Sequence, residues 1–133
     1  MTALAADRNT PSMDGEIISV PVATNATIYA GALVAANASG YATPGAVAAT
    51  LTYLGRAEEK VANTGANGAK NVLVRRGKAF KWENYASDAV TVALLGKSCY
   101  IFDDQTVAAT SGGAARSVAG KVLSVEADGV WVE

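Results

Sequence analysis

Beyond residue 15 the sequence is a succession of short apolar runs, each cut off by glycine, proline, asparagine or aspartate. The breaks recur roughly every 8–12 residues, the spacing of strands in a small barrel or sandwich. Residues 16–22 (EIISVPV) read as a strand, with Pro21 placing it at an edge or bulge. Residues 28–36 (IYAGALVAA) follow, bent at Gly31. A turn at residues 37–40 leads into a short return strand from Tyr41, which Pro44-Gly45 ends. Residues 51–61 (LTYLGRAEEKV) read as a strand whose second half is charged and exposed. Residues 63–68 (NTGANG) form a flexible loop. Residues 71–76 and 78–83 flank Gly77 and read as a strand pair with charges outward and Phe80 and Trp82 inward.

The only helix candidate is residues 87–95, one or two turns long, capped by Ser87 or Asp88 and stopped by Gly96. Residues 97–102 (KSCYIF) are a strong strand, turned at Asp103-Asp104-Gln105 and answered by residues 106–109. Residues 111–113 make a second flexible loop. Residues 117–126 pair with residues 130–132 across Asp128-Gly129, the clearest hairpin signal in the chain. The expected fold is mainly β: a single small barrel or sandwich over residues 16–133, with one short helix. Residues 1–15 lack periodicity and form an extended N-terminal arm, either a passive tail or a segment that orders on a neighbouring subunit.

A chain of 133 residues is long enough to bury a core without disulfide or metal staples. Alanine and valine supply much of its hydrophobic half and aromatics only 7%, so that core is expected to be made of many small side chains. Cys99 is alone, which excludes an internal disulfide and fits a reducing cytoplasm. The net charge of -1 and a pI near 5.4 leave no electrostatic footprint for nucleic acid and no basic face for a membrane. The N-terminus lacks the pattern of a secretory signal, and no apolar stretch approaches the ~20 residues that cross a bilayer.

Histidine is absent, which removes the usual general base and the usual metal ligand. One cysteine without histidine cannot build a zinc site. Asp103-Asp104 and Glu58-Glu59 read as turn and solvated-face residues, with carboxylate chemistry the other reading. Cys99 sits in an apolar strand with no basic partner, as expected of an inert buried thiol. The NTGANGAK segment lacks the Gly-Lys-Ser/Thr ending of a phosphate loop. Arg75, Arg76, Lys78 and Lys81 interleave with Phe80 and Trp82. The cluster has three readings: single-stranded nucleic-acid binding, an ordinary strand pair, or a docking point for an acidic protein surface. These residues and chemistry together predict no enzyme, no cofactor and no metal.

Several segments carry a resemblance as an ordered set: Ile28 through Val34 (IYAGALV), Gly55-Arg56-Ala57-Glu58, Val74-Arg75-Arg76-Gly77, residues 99–107 (CYIFDDQTV) and Gly129-Val130-Trp131-Val132. The chain resembles a family of small proteins encoded beside the major head protein in Mu-like tailed phages and prophages. More loosely it is similar to the lambda-type head decoration proteins. There an arm precedes a small β body, and a tight turn precedes an aromatic strand, the place held here by Arg76-Gly77-Lys78 and residues 80–82. The chain departs from the lambda type in its greater length and its C-terminal hairpin.

The resemblance implies a β-tulip-like capsid decoration, or cement, protein. It would be made in the host bacterial cytoplasm and bound as a homotrimer to the major capsid protein on the outer surface of the virion, stabilising the DNA-filled head. The interface residues it implies are the arm's arginine (Arg8, next to Asp7), Asn9, Pro11 and Asp14, together with Arg75, Arg76, Lys78 and Trp82. The competing expectation is a tail- or fibre-associated β-domain that binds carbohydrate through Trp82, Trp131 and the tyrosines.

Overall fold

The computed structural model describes residues 2–133. Met1, the first residue of the expected arm, lies outside the described residues. The fold is a small, mainly β domain. In chain order its strands are β1 (Ile17–Pro21), β2 (Thr27–Ile28), β3 (Leu33–Ala36), β4 (Ala42–Pro44), β5 (Thr52–Ala57), β6 (Val61–Ala62), β7 (Asn71–Arg75), β8 (Phe80–Asn84), β9 (Ser98–Ile101), β10 (Thr106–Ala108), β11 (Val118–Glu126) and β12 (Gly129–Val132). The first seven form an open five-stranded sheet, ordered β1-β7-β5-β3-β4, and a two-stranded flap, β2-β6. The last five close into a barrel, ordered β10-β8-β12-β11-β9. Among the described residues no helix is long and apolar enough to cross a membrane.

Strand β3 joins the two halves. Successive side chains on a strand point to opposite faces, and Leu33, Val34 and Ala35 are all fully buried. Leu33 and Ala35 enter the barrel cluster with Phe80, Trp82, Val90, Cys99 and Ile101. Ala32 and Val34 enter a second cluster with Val20, Val22, Ile28, Val72 and Val74. A strand buried on both sides reads as a continuous apolar run, as LVAA does. The core is built mostly of valine and alanine, as the composition implied, with Phe80 and Trp82 as its large members.

Several sequence expectations are met in position and changed in partner. Pro21 lies on β1, an edge strand, where its missing N–H costs no ladder bond. The run over residues 51–61 breaks into β5 and β6, because Glu58-Glu59-Lys60 leaves the sheet. Segments 71–76 and 78–83 do not pair with each other. β7 pairs with β1 and β5, whereas β8 pairs with β12 and β10. The Arg76-Gly77-Lys78 link is thus a crossover from sheet to barrel, not a hairpin turn.

The expected helix over residues 87–95 is instead two 3-10 turns, Ala86–Asp88 and Val92–Leu94. The Asn84 side chain explains the break. Its amide donates to the Val90 carbonyl (2.9 Å), and its carbonyl oxygen accepts from the Val90 N–H (2.8 Å). Both backbone groups of Val90 are thereby taken from any helical ladder, and the buried valine side chain pins the segment to the core.

The C-terminal hairpin forms, but not through the turn type that Asp-Gly favours. The two-residue connection is Ala127-Asp128, and Gly129 already pairs with Glu126. Gly129 is required by close approach: a Cβ there would lie 2.8 Å from the Trp82 carbonyl oxygen. Gly55 has a different role. Its φ of +146° lies at a bulge where β5 slips against β3, and a Cβ would collide with the Arg75 carbonyl oxygen.

The two loops expected to be flexible are tied down. Asn63 is 1% exposed, and its amide nitrogen reaches the carbonyls of Val22, Ala23 and Ala66 at 2.9, 3.2 and 3.0 Å. In the second loop the Ser111 carbonyl accepts from the N–H groups of Ala115 and Arg116. The Arg116 guanidinium then bonds the Asp88 carboxylate at 2.8 Å and lies 5.5 Å above both Tyr85 and Phe102, which stack on each other.

Candidate functional site

The crossover from sheet to barrel places three of the expected interface cations together. Arg75 ends β7 opposite Arg56 of β5. Glu58 sits between them and accepts from Arg56 at 2.8 Å and Arg75 at 3.3 Å. The Arg56 hydrogen bond is the main reason the Glu58 carboxyl titrates below its ordinary value. Arg56 also lies 4.9 Å above the Phe80 ring. Lys78 pairs with Glu16 at 3.0 Å, and the Arg76 N–H donates to the Glu16 carbonyl at 2.7 Å. The root of the arm is therefore fixed to the crossover by one backbone bond and one ion pair.

Beside the crossover runs a groove of about 430 Å³. Tyr53, Leu54 and Gly55 of β5 form one wall, Ala79 and Phe80 at the start of β8 another. Arg76, Gly77, Lys78 and the C-terminal Glu133 complete the lining. The groove thus combines apolar side chains with two exposed cations and one exposed carboxylate.

The arm makes no strand, and each of residues 2–15 is exposed. Leu4 is 73% exposed and Met13 77%, the two most exposed large apolar side chains among the described residues. Within the arm, Arg8 donates to the Thr10 hydroxyl at 3.0 Å. Asp14 accepts from the Glu16 N–H at 3.2 Å. Asn9 and Pro11 are simply exposed.

Trp82 departs from its expected surface role. It is 5% exposed, with its ring inside the barrel 6.0 Å from that of Phe80. Alternation along β8 puts Phe80 and Trp82 inward and Lys81 and Glu83 outward. Trp82 therefore cannot stack on a base or a sugar at the surface. Trp131 is half-buried on the outside of the hairpin, bonded through its indole N–H to Glu126.

Of the acidic pairs considered for chemistry, three members hold local contacts through their carboxylates: Asp103, Glu58 and Glu59, the last of which accepts from the Leu73 N–H at 3.4 Å. Asp103 accepts from the Gln105 N–H at 2.9 Å and shapes its own turn. The Asp104 carbonyl accepts from the Leu33 N–H at 2.7 Å, tying barrel to sheet. Among the described residues no three acidic or cysteine side chains gather as metal ligands would. Cys99 is fully buried, and desolvation pushes its thiol up to about 11.

An apolar patch on the barrel was missed in the sequence. Leu95 bridges Val122 of β11, and Val92, Leu95 and Leu123, all within a residue or three of that bridge, are exposed. In the sequence Val92 and Leu95 belonged to a supposed helix and Leu123 to an apolar run. The one available signal was that a run such as VLSV must turn every second side chain outward. The groove had no signal, because its walls come from three separate segments.

No protein-family model, characterised protein or solved structure matches this chain.

Proposed function

We propose that this chain is a head decoration protein of a tailed phage, binding the outer capsid surface as a homotrimer and stabilising the DNA-filled head. Its work is contact rather than catalysis, and its partners are the major capsid protein and further copies of itself. The observation that carries the reading is the contrast between a tightly cross-bonded β body and a wholly exposed arm bearing Leu4 and Met13. A cementing protein needs a rigid body that repeats the same contact by symmetry and a segment that adds contact area when it orders. The resemblance of the ordered motifs to proteins encoded beside the head gene of Mu-like phages supports the same reading. The exposed Val92, Leu95 and Leu123 offer apolar surface for a symmetric contact. Three copies joined in this way add weak contacts through effective concentration.

The test is direct. Purified protein is added to expanded, undecorated heads, and bound protein is measured after sedimentation. Saturable binding that raises the heads' resistance to heat is expected. Failure to bind overturns the proposal. Light scattering of the free protein is expected to give the mass of three chains.

A further inference from the structure

We propose that the groove beside the sheet-to-barrel crossover is the docking site for the N-terminal arm of a second copy of this chain. Leu4 lies against Tyr53 and Ala79, the Asp7 carboxylate against Arg76 and Lys78, and the Arg8 guanidinium against Glu133. The proposal rests on the self-association in the reading above but not on head binding.

Three observations carry it. The first is charge complementarity. The lining includes exposed Arg76, exposed Lys78 (already paired with Glu16) and the Glu133 carboxylate, and the arm offers an adjacent acid and base, Asp7-Arg8, three residues beyond an exposed leucine. The second is reach. Twelve residues separate Leu4 from the anchored Glu16. At ~3.3 Å per residue they span about 40 Å, well beyond the ~13 Å radius of gyration of a body this size. The third is that the arm is rooted beside its own groove and yet none of its residues lines it. Glu16 is held by Arg76 and Lys78, and Met13, only three residues upstream, stays 77% exposed. An arm rooted beside the groove that leaves it unfilled is free to enter a neighbour's. In a closed ring each copy would give one arm and receive one, a heterologous contact that a threefold axis completes.

The test uses the full chain without heads. Two variants are prepared separately, Leu4→Cys and Ala79→Cys, then mixed and mildly oxidised. Native Cys99 is buried and does not compete. Lys78→Cys replaces Ala79→Cys where the latter does not fold. The expected result is a cross-linked two-chain species in the mixture. A control pairing of Leu4→Cys with Ser39→Cys, on an exposed turn, should give about tenfold less. Adding Lys78→Glu to the Ala79→Cys chain should slow cross-linking about tenfold, and Asp7→Lys on the arm chain should restore it. No cross-link, an equal yield in the control, or a cross-link formed only within a single chain bearing both cysteines overturns the docking. Light scattering on the same samples separates the failures: trimers without cross-linking overturn the docking alone, and monomers overturn the self-association as well.

Discussion

The barrel and the five-stranded sheet draw on the same small apolar residues, yet they close in different ways. The barrel is sealed by backbone pairing around its whole ring, so what remains to be filled is volume, and Phe80 and Trp82 fill it. The sheet has two edges, β1 and β4, which meet only where Val22 bridges Ala42. Its gap is closed by a side chain, with Asn63 gathering the Val22, Ala23 and Ala66 carbonyls. A closed ring depends on large side chains, and an open sheet on a polar latch and on glycines that let strands approach.

The sharpest break of this comparison is Trp82→Ala. Truncating the largest side chain of the barrel should cost about 3–5 kcal/mol, read as a lower urea midpoint. If it costs less than substitutions in the sheet, volume does not govern the barrel. Gly55→Val comes next. With φ at +146° and the Arg75 carbonyl in the way, the side chain should disrupt the β5–β7 pairing at a cost of about 3 kcal/mol. Asn63→Leu should cost about 1–3 kcal/mol by leaving buried carbonyls unpaired. It should also speed hydrogen exchange at the Gly65 and Gly68 amides, leaving barrel amides unchanged.

The smallest effects separate the regions by pH. Burial raises the Cys99 thiol to about 11 and the Tyr53 hydroxyl, packed against the same cluster, to about 12. Both groups are neutral when protonated, so the unfolded chain loses its protons first as pH rises. Their contribution is complete below about pH 9 and is lost between about pH 9 and 12. Tyr53→Phe should flatten that alkaline fall in thermal stability. Asp88 behaves in the opposite sense. Hydrogen bonds from Thr110 and then Arg116 lower its carboxyl, so its contribution is present above the ordinary carboxylate range and is lost on acidification. Asp88→Asn should reduce the acid sensitivity of the 111–116 loop, seen as less pH-dependent proteolysis there.

Much of the strand inventory was legible because alternation and turn residues are local. Pro21 pointed to an edge or a bulge, of which β1 is the edge, and the inward aromatics of β8 followed from Phe80 and Trp82 two residues apart. The helix over residues 87–95 misled because the decisive contact, Asn84 on Val90, is a side-chain bond that propensity does not register. Residues 63–68 looked flexible by composition, whereas Asn63 is a buried latch. Of the candidate site, the cations of the crossover and the exposed arm could be read in advance. The groove walls could not.

By itself the sequence determined where the chain turns, which side chains prefer the interior, and that histidine-based catalysis is absent, because each of these depends on residue identity or on neighbours a few positions away. Only the tertiary structure decided that β7 and β8 part company at Gly77, that β3 serves two cores, and that Tyr53, Lys78 and Glu133 share one groove. Those outcomes depend on which strands pair across long separations. Pairing energy comes from the backbone, which every residue shares, so the choice of partner is settled by the packing of the whole domain.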